Sequence, residues 1–192
     1  MVKERVTMTN NRKKTMRLIL KWIVISLVIL IAYSISVTGG AGKAKPILLI
    51  PVLIAFSTSE NELISGIVGA LCGLLVDLSC GKLFGFNGVI LLLIGVFASF
   101  LFLHLMRKNI LNVIVLTAVA AAIQGMLDFF FYYVMWKYEG INTVFMKIIL
   151  PSAIFTTVAS PFVYLIIKYI IGKFAESDGV IVENTSLNGI KG

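Results

Sequence analysis

Apolar residues in this chain gather into six runs, at 18–37, 46–57, 62–78, 86–105, 110–136 and 144–171, separated by short polar or glycine-rich breaks. A helix that crosses a bilayer needs roughly 20 predominantly apolar residues, and five of the runs meet that length or approach it. The second run contains only about twelve clearly apolar residues and includes Pro46 and Pro51. It either re-enters the membrane or spans by extending back to Ala41, with Lys43 and Lys45 snorkelling toward headgroups. The fifth run ends in Phe129, Phe130, Phe131, Tyr132, Tyr133 and Trp136, an aromatic cluster suited to a membrane interface. The sixth holds Pro151 and Pro161, where kinks are expected.

The pattern predicts an all-α, polytopic integral membrane protein of about six transmembrane helices. Residues 1–17 form a basic cytoplasmic start, 18–173 the transmembrane domain, and 174–192 a polar cytoplasmic tail expected to be disordered. Composition agrees: of 192 residues 59% are hydrophobic and only 14% charged, with a mean hydropathy of +1.00. Soluble domains are roughly 45–50% apolar and 25% charged. The first run follows a basic stretch and precedes Thr38-Gly39-Gly40-Ala41-Gly42, as in a signal peptide, but it is long for one and reads as an uncleaved helix.

The net charge of +8 changes the picture only through its placement. Lys3, Arg5, Arg12, Lys13, Lys14, Arg17 and Lys21 crowd the start of the chain, immediately before an apolar run, which argues for a topology anchor and against nucleic acid. Attraction to anionic headgroups follows from the same charges. Six crossings place that cluster with Arg107, Lys108, Lys168, Lys173 and Lys191, and put Lys43, Lys45, Lys82, Lys137 and Lys147 opposite. Both termini are therefore expected in the cytoplasm; a re-entrant second run would move Arg107 and Lys108 outside.

Candidate chemistry is sparse. Cys72 and Cys80 lack metal or redox spacing and read as packing residues. His104, beside Arg107 and Lys108, has no visible partners for a metal site or a triad. No catalytic residue, cofactor or metal is expected. The informative residues are those that are costly or unusual in lipid. On a 3.6-residue period Glu62, Gly66, Gly69, Gly73 and approximately Asp77 form one stripe of the third run, suited to close helix approach. Glu62 and Asp77 lie about 22 Å apart on a straight helix, too far to form a catalytic pair. Glu62 suits a helix N-terminus, whereas Asp77 near the C-terminal end needs a partner, among them the backbone amides of the turn at 81–85 or Lys82. It either orders that turn or binds a transported ion or substrate. Gln124 and Asp128 make a polar stripe on the fifth run, read either as an intramembrane protein or ligand contact or as a buried interhelical hydrogen bond.

One stretch resembles a known family. Residues 60–77, Glu60-Asn61-Glu62-Leu63-Ile64-Ser65-Gly66-Ile67-Val68-Gly69-Ala70-Leu71-Cys72-Gly73-Leu74-Leu75-Val76-Asp77, are followed by Gly81, Leu83, Phe84, Gly85, Phe86 and Asn87. This is similar to the signature of the bacterial rod-shape-determining MreD family: an acid, a helix of the form G-x-x-x-G-L-L-x-D, and a turn ending in L-x-G-x-N. The resemblance covers about thirty residues. It implies a non-enzymatic subunit of the cell-wall elongation machinery in the bacterial plasma membrane. The implied partners are an MreC-like single-span protein, RodA with its penicillin-binding transpeptidase, and MreB filaments. MreD also looks like a relative in fold of the S-components of energy-coupling-factor transporters, so a vitamin-binding S-component is the alternative expectation. Against it, the outer loops are short and glycine-rich, with few groups to hold a metabolite.

Overall fold

The computed structural model describes residues 2–38, 47–80, 84–131, 146 and 149–189, and within these leaves out the side chains of 2–14, 17, 80 and 174–189. The described residues are helical throughout apart from short connections. In chain order the helices are α1 (Val2–Thr38), α2 (Leu49–Ser57), α3 (Glu62–Cys80), α4 (Phe86–His104), α5 (Ile110–Phe129) and α6 (Leu150–Gly189). Five of them are long and apolar enough to cross a membrane, over Leu18–Thr38, Glu62–Ser79, Phe86–His104, Ile110–Phe129 and Leu150–Lys173. The backbone of α6 stays helical to Gly189, through the polar segment that composition marks for disorder. Tyr132, Tyr133 and Trp136 lie outside the described residues.

The second run is the exception that the sequence signals. Its helix α2 has 9 residues, about 14 Å at 1.5 Å per residue, against a hydrocarbon thickness of about 30 Å. The residues before Ile47 that would lengthen it lie outside those described. Every residue of α2 is buried, as expected of a helix apolar on all sides. It forms the centre of the molecule, in contact with each of the other five helices.

Hydrogen bonds fix its direction. At one end the Leu48 N–H donates to Ser36 Oγ of α1 (3.2 Å) and the Ile47 N–H to Thr156 Oγ1 of α6 (3.0 Å). Both are amides at a helix start with no intrahelical acceptor, here satisfied by neighbouring helices. At the other end Lys21 of α1 pairs with Glu60, just beyond α2, and Trp22 lies against Phe56 with ring centroids 6.2 Å apart. Ser36 and Lys21 are separated by about 22 Å of α1 axis. The chain from Leu48 to Glu60 therefore runs the bundle antiparallel to α1, using a short helix and its flanking turns. Glu62 and His104 (3.5 Å) and the bond from the Tyr164 hydroxyl to the Lys108 carbonyl (3.1 Å) gather at the Lys21 end. The start of the α1 span and the end of the α6 span thus share one end of the bundle.

Pro161 interrupts α6 with a local remedy. Proline has no N–H to give the carbonyl four residues back, and the Ser160 hydroxyl donates to that carbonyl, Thr157 O, at 2.8 Å. Such replacement bonds allow proline within a transmembrane helix.

Candidate functional site

The residues singled out in the third and fourth runs come together in the α3–α4 hairpin, the most extensive helix pair in the protein. Glycine makes the pair close. A Cβ placed on Gly69 would lie 2.3 Å from the Leu91 carbonyl oxygen, and one on Gly73 would lie 2.2 Å from that of Asn87. From the other side, a Cβ on Gly95 would lie 2.5 Å from the Ser65 carbonyl oxygen. Backbone meets backbone at these positions, as small residues permit in a membrane. Gly66 is less constrained, because its nearest neighbour is the Val96 side chain at 2.7 Å. The glycine face is thus covered by α4 of the same chain and is not a surface open to a partner helix.

Asp77 ends the stripe and is only 2% exposed. Its carboxylate sits at the N-terminus of α4, where four amides lack intrahelical acceptors and the helix dipole favours negative charge. Oδ2 accepts from the Gly85 N–H (2.8 Å) and the Gly88 N–H (3.4 Å). Oδ1 accepts from the Asn87 N–H (3.2 Å) and from Asn87 Nδ2 (2.9 Å). The preceding helix thus supplies the cap for the following one. Gly85 serves as the N-cap residue of α4 with φ +97, a left-handed conformation that glycine adopts without steric penalty. Gly81 and Lys82 lie outside the described residues.

Asn87 extends the network to α5. Fully buried, it accepts at Oδ1 from Nε2 of Gln124, also fully buried, at 3.0 Å. Gln124 therefore faces the interior of the bundle and bonds across helices. Asp128, one turn on and partly buried, is engaged in an interaction of its own. Glu62 stands at the other end of α3, beside His104, about 36% exposed. It is separate from the Asp77 network, as the helical spacing requires.

Two contacts escape the sequence pattern: the Lys21–Glu60 pair and the Gln124–Asn87 bond, which join residues far apart in the chain. Among the described residues no three His, Cys, Asp or Glu side chains group as they would around a metal ion. A small void between α1, α2, α3 and α6 is bounded by apolar side chains, among them Ile25, Val52, Phe56, Val68 and Ile167. Chemically, the arrangement of Asp77, Asn87 and Gln124 can fix three helices in place through buried hydrogen bonds. Compared with protein-family models, curated proteins and solved structures, the chain matches none.

Proposed function

We propose that this chain is a non-enzymatic membrane subunit of the bacterial cell-wall elongation machinery, similar to MreD, controlling cell shape through an MreC-like single-span partner. RodA, its penicillin-binding transpeptidase and MreB filaments are the wider company, and the chemistry belongs to the synthases. One observation supports the reading: five residues of the MreD-like stretch, Gly69, Gly73, Asp77, Gly85 and Asn87, meet in one helical hairpin and each has a physical task there. Gly69 and Gly73 bring α3 onto α4, Asp77 caps α4, and Gly85 makes the turn that sets Asn87 beneath the carboxylate. Those tasks build a rigid helical scaffold, which suits a protein that positions others.

Depletion of the protein in its native cell tests the reading. Rod-shaped cells should round while vitamin uptake stays normal. Cells that keep their shape and lose uptake of one vitamin would replace this reading with the S-component one.

A further inference from the structure

Helices α1 and α6 each continue past their spans. The span of α1 starts at Leu18 and that of α6 ends at Lys173, yet the backbone is helical from Val2 and onward to Gly189. The two continuations, 2–17 and 174–189, are each about 24 Å long at 1.5 Å per residue, and both leave the same end of the bundle. They leave it side by side, because Ile25, Val28 and Ile29 of α1 and Ile167, Ile170 and Ile171 of α6 line one crevice near that end.

The two arms carry opposite charge. Residues 2–17 hold Lys3, Arg5, Arg12, Lys13, Lys14 and Arg17 against Glu4, whereas 174–189 hold Glu176, Asp178 and Glu183 and no basic residue. Antiparallel helices advance by equal steps in opposite senses, so counting out from the shared crevice brings Arg17 level with Asp178, and Lys13 and Lys14 level with Glu183. The helical period puts Asp178 on the same face of α6 as Ile167 and Ile171, and Lys14 on the same face of α1 as Ile25. The tail is also a poor helix former by itself. Gly179 and the β-branched run Val180, Ile181 and Val182 disfavour it, and isolated helices shorter than about 12–15 residues are marginal in water. A helical backbone there calls for a neighbour, and the basic arm is the one that the crevice sets beside it.

We propose that the acidic arm 174–189 is the docking partner of the basic arm 2–17, the two forming an antiparallel helical pair outside the bilayer. The pair neutralises the positive charge of 12–17 beside the membrane, which anionic headgroups would otherwise attract. Lys3 and Arg5, further out than the last tail acid, remain as a positive tip. This inference stands independently of the wall-elongation reading.

Distances between spin labels test it in full-length protein, reconstituted in nanodiscs of zwitterionic phosphatidylcholine and of anionic phosphatidylglycerol. Labels introduced as unnatural amino acids at Asn10 and Ser186 span the arms, and labels at the exposed positions Leu71 and Leu93 check that the α3–α4 hairpin is folded. One short Asn10–Ser186 distance is expected in both lipids at about 0.1 M salt. Its population should fall by about two- to fivefold at about 1 M salt, where the Debye length shrinks from about 10 Å to about 3 Å. Arg17→Glu or Asp178→Arg should lower it by a similar factor, as for one exposed ion pair. The exchange of both, Arg17→Glu with Asp178→Arg, should restore it, and leaves Arg12, Lys13, Lys14 and Lys21 to orient the first helix. The Leu71–Leu93 distance should stay fixed throughout. A broad Asn10–Ser186 distribution indifferent to salt, or an exchange that restores nothing, would overturn the pairing. A short distance confined to phosphatidylcholine would overturn it too, by giving the basic arm to the headgroups.

Discussion

Replacing Gly73 by alanine adds one methyl group at the tightest point of the hairpin. That carbon would lie 2.2 Å from the Asn87 carbonyl oxygen, 2.5 Å from its carbon and 2.6 Å from Gly88 Cα. All three are backbone atoms, so no rotamer change relieves the clash, and ordinary contact at about 3.5 Å requires α4 to retreat by about 1 Å. Overpacking of this kind costs about 1–3 kcal/mol. The retreat also acts on Asp77, one turn along the same face. Its bond to the Gly88 N–H is already 3.4 Å and fails first, removing part of a cap worth about 1 kcal/mol. Alanine's helical advantage over glycine, about 1 kcal/mol, offsets part of this, so the expected loss is about 1–3 kcal/mol. Gly172→Ala is the internal control, because a Cβ there meets nothing within 4 Å, and alanine in a helix is favoured over glycine by about 1 kcal/mol. Unfolding in mixed micelles, followed by helical circular dichroism, measures both. Gly73→Ala should be clearly destabilised and Gly172→Ala unchanged or more stable; equal stability of the two would refute backbone-to-backbone packing.

Asp77→Leu should be worse than Asp77→Asn in the same assay, because leucine accepts none of the four donors whereas asparagine accepts on one side and turns an NH₂ toward the other. Equal losses would point to the charge itself. Gly85→Ala should cost about 1–2 kcal/mol through its φ of +97 although the space around it is empty; no loss of stability would mean that the turn readjusts freely. In a double-mutant cycle Ser160→Ala should cost more in the native chain than beside Pro161→Ala, which restores the N–H for Thr157 O. Additive effects would show that the hydroxyl does not serve that carbonyl.

Much of this was legible because a bilayer makes departures from apolarity expensive. The apolar runs located the spans, and the 3.6-residue period put Gly66, Gly69, Gly73 and Asp77 on one face of α3. The spacing also kept Glu62 apart from Asp77. It could not say what covers that face, since a packing stripe looks the same whether α4 or another protein lies against it. The fate of Gln124 was hidden for a related reason: its partner Asn87 stands 37 positions away, and nothing local encodes that encounter. The second run was the hardest to place, because spanning length is a rule for helices facing lipid. Helix α2 faces protein on every side, so a length rule drawn from helices facing lipid does not decide its course.

The central claim concerns what this scaffold positions, and its most direct test is isolation of the intact protein from native membranes in mild detergent, with identification by mass of whatever accompanies it. The account predicts a single-span membrane protein together with glycosyltransferase and transpeptidase subunits of wall synthesis, and their loss when Gly73→Ala disturbs the hairpin. Recovery with a nucleotide-driven transport module and a bound vitamin, and without wall-synthesis proteins, would contradict it.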